Sequence, residues 1–285
     1  MDQRIINLYD EYTHAPLPRT EFFRRLVLLT GSTAAAMAVL PLIEVNAAQA
    51  KVVAIPEDDL FTERVSYTGV PGNMQAYVAR PKDNKKYPAI IVIHENRGLN
   101  AHIEDVARRA AKEGFLTIAP NALAAISATP ANEDEARQKF QELKAENNLQ
   151  NFINVFDYLK TRNDFNGSTG CVGFCWGGAM SNSLAVKVPS LKAAVAFYGR
   201  QATAEEVPSI KAALQLHYAS LDERINAGIA AYEEALKKNN KPYELYMYDG
   251  VNHAFHNDTA VGRYNEAAAK LAWSRTIAFF KKHVV

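Results

Sequence analysis

The chain has 285 residues, long enough to bury the core of one large α/β domain. With 32 basic against 31 acidic side chains, 48% hydrophobic and 22% charged residues, it has too little long-range field to be read as a nucleic-acid binder, an acidic chaperone or a disordered tail. Only two cysteines occur, Cys171 and Cys175, which excludes a disulfide scaffold and a four-cysteine zinc site.

Residues 1–50 differ in kind from the rest. Arg24 and Arg25 precede an uncharged, alanine-rich run from Leu26 to Leu40, followed by Pro41. That run falls short of the roughly twenty residues a membrane-spanning helix needs, but it suits the apolar core of a secretory signal. Ala48-Gln49-Ala50 supplies a small-x-small cleavage site. Arg19-Thr20-Glu21-Phe22-Phe23-Arg24 is similar to a twin-arginine export motif with its second arginine replaced by threonine. A processed segment implies a periplasmic or secreted protein with no stable membrane span in its mature form. The other reading is a retained N-terminal helix that packs on the body or on another subunit, in a cytoplasmic protein.

From residue 51 to 285 no repeat, low-complexity tract or linker divides the chain, so it reads as a single domain. Val65–Tyr67 and Met74–Ala79, joined through Gly69 to Asn73, predict an antiparallel hairpin. Ala89–Ile93 is a continuous apolar run of the kind a strand covered on both faces requires. A helix from Ile103 to Glu113 ends at Gly114, and a strand from Phe115 to Ala119 is expected to stop at Pro120. A helical stretch from Glu133 leads to Phe152, Val155, Phe156 and Leu159, which share one apolar stripe. Strands follow at 169–174, 193–197, 213–218 and 243–248, with helices at 225–238 and 263–282. Alternating strands and crossover helices predict a doubly wound, mainly parallel α/β sheet.

In such a sheet, reactive groups gather beyond the carboxyl ends of the strands. The strongest motif there is Gly173-Phe174-Cys175-Trp176-Gly177-Gly178, a nucleophile elbow with sulfur in place of oxygen. The glycines suit a strained turn whose neighbours would otherwise collide, and a helix starting just after Cys175 favours a thiolate and a developing oxyanion. Cys171 lies inside the strand and reads as core filling. The two sulfurs are too far apart to pair, because four extended residues separate the Cα atoms by roughly 13 Å and a disulfide tolerates less than 7 Å. This fold orders its triad as nucleophile, acid, histidine, which Asp222 and His253 satisfy from loops after the 213–218 and 243–248 strands. His217, within a strand, and His256 read as packing or surface.

On these residues, together with His94-Glu95-Asn96-Arg97-Gly98-Leu99 and His253-Ala254-Phe255, the chain resembles the dienelactone hydrolase (carboxymethylenebutenolidase) family of the α/β-hydrolase superfamily over about residues 60–283. The resemblance implies an α/β-hydrolase fold with Cys175 as nucleophile, His253 as base and acid, and Asp222 as its orienter. It also implies an oxyanion hole from the backbone N–H groups of Asn96 and Trp176. Glu95 is expected to keep the thiol protonated at rest, since a carboxylate beside a thiolate is a like charge. Two arginines by which the family holds a substrate carboxylate are absent: the segment after the fourth strand reads Asn121-Ala122-Leu123-Ala124-Ala125, and Asn257 stands four residues past His253. Arg97, Tyr198 and Arg200 are the remaining candidates for substrate contact.

The leading expectation is a carboxylic ester or lactone hydrolase of small molecules, a monomer or homodimer that needs no metal and no organic cofactor. The short 198–212 connection leaves no room for a large lid and predicts an open site. A second reading is a non-catalytic or redox protein with a reactive elbow thiol. A third, a metal site from His94, Glu95 and His253, lacks any dedicated ligand spacing.

Overall fold

A run such as Tyr87–Ile93 has no polar face to offer water, so it must sit inside a sheet covered on both sides. Every residue of this strand, β3, is buried. The computed structural model describes residues 1–45, 50, 54–130 and 132–285. Around β3 an eight-stranded sheet is built from β1 (Phe61–Tyr67), β2 (Met74–Arg80), β4 (Leu116–Asn121), β5 (Phe165–Phe174), β6 (Ala193–Phe197), β7 (Ala213–Ala219) and β8 (Tyr243–Tyr248). The spatial order is β1-β2-β4-β3-β5-β6-β7-β8. β1 pairs antiparallel with β2, which pairs antiparallel with β4, while the rest of the sheet is parallel. This is the α/β-hydrolase architecture. The chain leaves β3 for β4 on one side and then crosses to β5 on the other, so the sheet's direction of winding reverses there. Such a switch point opens a crevice beyond the carboxyl ends of the two strands.

Helices cover both faces. α4 (Ala101–Lys112) and α10 (Glu266–His283) bury Ile103, Val106, Ala272 and Phe280 against one side. α6 (Ala145–Lys160), α7 (Trp176–Lys187) and α9 (Ile229–Lys238) bury Phe152, Val155, Leu184 and Leu236 against the other. The caps are local: Asn100 and Asn265 each accept a hydrogen bond from the third backbone N–H of α4 and α10.

Several boundaries differ from the sequence reading: β1 and β5 begin earlier, at Phe61 and Phe165, and three other differences involve a helix break or a proline. The helical stretch from Glu133 is two helices, α5 (Glu133–Phe140) and α6. The break lets Phe140 turn its ring edge onto Trp176, with centroids 4.8 Å apart. The stretch at 225–238 divides into α8 (Glu223–Asn226) and α9 at Gly228. Strand β4 continues through Pro120, which faces Ala76 of β2. Pairing with β3 has already ended at Ile118, so that neighbour does not require the N–H that proline lacks.

The N-terminal segment folds as three helices, α1 (Gln3–His14), α2 (Arg19–Thr30) and α3 (Thr33–Ile43). The apolar run is not one rod: Gly31, at φ 82°, ends α2, Ser32 caps α3, and the two helices meet at 111°. No single helix is long and apolar enough to cross a membrane among the described residues. Ala48-Gln49 of the small-x-small motif lie outside the described residues. The segment has its own small core of Tyr9, Tyr12, Phe22 and Leu26, and α1 lies across the carboxyl edge of the sheet.

Candidate active site

Cys175 sits at φ 56°, ψ −113°, a backbone shape that L-residues rarely adopt and that costs energy to hold. The glycines around it explain how it is tolerated. A Cβ on Gly173 would lie 1.8 Å from the carbonyl oxygen of Gly177, and one on Gly177 would lie 2.3 Å from that of Ile93. The Cys175 N–H donates to Phe197 O at 3.0 Å, which pins the turn to the end of β6, and α7 begins at the next residue. Cys171, in contrast, is fully enclosed in β5 with its sulfur 3.0 Å from Ser181 Oγ.

Asp222 lies past β7, and its two carboxylate oxygens do different things. Its Oδ1 caps α8 through the Ile225 N–H at 3.3 Å, and its Oδ2 accepts from His253 Nδ1 at 2.5 Å. His253 Nε2 is buried without a hydrogen-bond partner among the described residues. Ring nitrogens of His253 and His14 and the sulfur of Cys175 all lie within 4.8 Å of one another.

His14, the last residue of α1, was not singled out in the sequence. Its Nε2 lies 3.1 Å from Cys175 Sγ, and its Nδ1 faces Asp10 Oδ1 at 3.1 Å one helical turn earlier. The signal that could have found it is the spacing of Ile5, Leu8, Tyr9 and Tyr12, an amphipathic aromatic helix unlike the short basic start of an export signal. Asp10 and His14 lie four apart on that helix, so their side chains share a face.

Electrostatics follow from this cluster. Burial alone pushes the Cys175 thiol up, but the imidazoles of His14 and His253 outweigh it and bring it down to about 6. Burial likewise opposes charge on His253, and Asp222, Cys175 and Asp10 overturn that and raise it well above the ordinary histidine range. His14 is also raised: burial works against it, and Cys175 and Asp10 prevail.

The other candidates sit as follows. Glu95 is held by Asn257, whose Nδ2 donates to Oε2 at 3.0 Å, while Oε1 has no hydrogen-bond partner among the described residues. Burial raises the Glu95 carboxyl, but Arg97, Arg263 and the nearby histidines keep it below its usual range. No hydrogen bond joins Glu95 to the thiol among the described residues: two imidazoles adjoin the sulfur, and Glu95 Oε2 accepts from Asn257. Asn96 faces the cavity, its Nδ2 donating to Thr13 O at 2.9 Å, and Trp176 opens α7. Arg97 donates to Tyr9 Oη at 3.1 Å and is covered by α1, so it is not available to an anion in the way the sequence suggested. Tyr198 and Arg200 both line the cavity at Cys175, and the Tyr198 ring centroid is 4.8 Å from that of His253.

His94 is internal to the fold. It is fully buried, its Nδ1 donates to Glu95 O and its Nε2 accepts from the Ala122 N–H at 3.0 Å. Both ring nitrogens are thus engaged, which removes the basis for a His94, Glu95 and His253 metal site. His217 and His256 are buried in aromatic packing, in keeping with their reading as packing residues.

The expectation of an open site is corrected as well. The 198–212 connection supplies no lid, but α1 covers the crevice from above and leaves a cavity of about 360 Å³ beside Cys175 and one of about 280 Å³ on the far side of His14.

A nucleophile elbow between β5 and α7, with an acid after β7 and a histidine after β8, defines a hydrolase of the α/β-hydrolase fold. Comparison with known proteins gives the family: residues 74–284 match the dienelactone hydrolase family, and the chain belongs to it. A protein of Saccharolobus solfataricus named "Putative carboxymethylenebutenolidase" is 30% identical over 259 residues, covering 77% of this chain and 98% of that one. The crystal structure of a "Putative Dienelactone Hydrolase" from Klebsiella pneumoniae superimposes with a TM-score of 0.70 at 27% identity, over 78% of this chain and all of that one. A dienelactone hydrolase-like promiscuous phosphotriesterase from metagenomic libraries shares the fold, with a TM-score of 0.71 at 20% identity over 80% of this chain and all of that one.

Proposed function

We propose that the protein hydrolyses small carboxylic esters or lactones through an acyl-thioester on Cys175. The observation that carries this reading is the convergence of a sulfur from the β5 elbow with the Asp222–His253 pair. The thiolate attacks the carbonyl carbon, and the carbonyl electron pair moves onto oxygen, facing the N–H groups of Asn96 and Trp176. One such donor lowers the barrier by about 3 to 4 kcal/mol. Collapse breaks the ester C–O bond, and His253 gives its proton to the leaving oxygen. His253, now neutral, takes a proton from water, the hydroxide adds to the thioester, and the C–S bond breaks to return the thiolate.

The substrate is small, since the cavity beside Cys175 is about 360 Å³. With Leu123 and Asn257 where a guanidinium would be needed, and Asn257 bound to Glu95, dienelactone itself is a poor substrate. A panel of aryl esters, lactones and thioesters assayed with the native chain and with Cys175→Ala tests the reading. At least about a hundredfold loss is expected for every substrate turned over. Unchanged rates would overturn it.

A further inference from the structure

Two aspartate–histidine pairs meet at one sulfur. Asp222–His253 comes from the strand ends of the sheet, and Asp10–His14 comes from α1, outside the span that matches the family. In each pair one ring nitrogen lies beside a carboxylate while the ring sits at Cys175, but the contacts differ: His253 Nδ1 donates to Asp222 Oδ2, whereas His14 Nδ1 donates to the backbone O of Asp10 at 2.9 Å, with Asp10 Oδ1 3.1 Å away. The helix that carries His14 is tied down from several directions. Asn96 Nδ2 donates to Thr13 O at 2.9 Å, Arg224 Nε donates to Asp10 Oδ2 at 3.2 Å, and Tyr12 Oη donates to Asp134 Oδ1 at 3.0 Å. Arg137 and Arg263 lie over the rings of Tyr12 and Tyr9 at 4.3 and 5.0 Å.

We propose that His14 is a second catalytic imidazole, the fixed cationic partner that holds Cys175 as a thiolate before substrate arrives, and that residues 1–14 are therefore part of the working enzyme. The inference rests on Cys175 being the nucleophile. The charges then alternate along a line: Asp10 negative, His14 positive, Cys175 negative, His253 positive, Asp222 negative. Arg224, on Asp10, balances the remaining negative charge.

The proton count closes over a turnover. His14 takes the thiol proton once and keeps it. His253 gives one proton to the leaving oxygen and recovers one from water. Acylation neutralises the sulfur, so two adjacent imidazolium ions would repel, and this favours proton loss from His253 at the step that needs it.

Other charged groups face His14 from each packed element. Glu11 lies on its own helix, and Asp222, Glu223 and Arg224 come from the β7 end. His253 and Arg263 come from the loop after β8, and Arg137 and Arg200 lie across the larger cavity. The 3.1 Å nitrogen-to-sulfur separation is that of a hydrogen bond. Two ligands of one tetrahedral zinc would stand about 3.5 Å apart, given its bond lengths.

The experiment is the rate of Cys175 alkylation by iodoacetamide against pH, read on the Cys175 peptide in the full chain, for native protein, His14→Gln and Asp10→Asn. The native midpoint is expected near 6. His14→Gln should move it up by a unit or more, and Asp10→Asn, which leaves the imidazole in place, by less in the same direction. Aryl-ester turnover by His14→Gln should fall at least about fivefold at pH 6 and recover toward the native rate at pH 9, a recovery that a purely structural role would not give. An alkylation midpoint unchanged in both variants overturns the inference. Turnover surviving in Cys175→Ala would instead defeat the hydrolytic reading, whatever the alkylation profiles show.

Discussion

Cys171 and Cys175 lie four residues apart on one continuous stretch of chain, and both are buried, yet their surroundings shift the two thiols in opposite directions. Inside β5, burial pushes the Cys171 thiol up to about 12, against the opposing hydrogen bond with Ser181. Just past the strand end, the same burial is outweighed by two imidazoles and the Cys175 thiol falls to about 6. Residue type and depth therefore do not decide reactivity. Position relative to the carboxyl edge does, because only there can loops from β3, β7 and β8, and here α1, bring charge to a sulfur.

The sharpest way to break the comparison is to exchange the fates of the two sulfurs. Cys175→Ala should lower ester turnover by at least about a hundredfold, measured as kcat/KM. Asp222→Asn should cost about tenfold to a hundredfold, because His253 loses the partner that orients it and raises its proton affinity. Acidity gives a milder handle. The thiol is depressed from its ordinary value, so the thiolate is present above about pH 6 and lost as pH falls through it, and kcat/KM should show an acid limb near 6. Gly177→Ala should lower the melting temperature by several degrees without introducing any new charge, because its Cβ would meet Ile93 O at 2.3 Å and His94 O at 2.5 Å. The smallest effect belongs to Cys171→Ala, which should leave kcat/KM within about twofold and cost about 1 kcal/mol in a denaturant titration, as expected for a small core deletion.

Much of the sheet was legible because its central strands are apolar on both faces. The run at 193–197 matches β6, buried at every position, residue for residue. The elbow was legible because its glycines answer a steric demand that sequence alone displays. Helix breaks at 141–144 and at Gly228 were not, since an apolar period runs on across a short interruption. The place of His14 beside Cys175 was hidden more deeply. Its partner is 161 positions away, and the apolar run downstream draws attention to export and away from the aromatic helix that precedes it. The partner of Glu95 was hidden for a related reason: only three-dimensional packing shows that Asn257 holds its carboxylate.

The most direct measurement is to mix the full chain with a slowly deacylating aryl ester, quench in acid and map the added mass by peptide. The acyl group should be found on the peptide carrying Cys175, appear as fast as the aryl alcohol is released, and decay at the rate of steady turnover. Steady alcohol release with that peptide never acylated would contradict a covalent route through this sulfur.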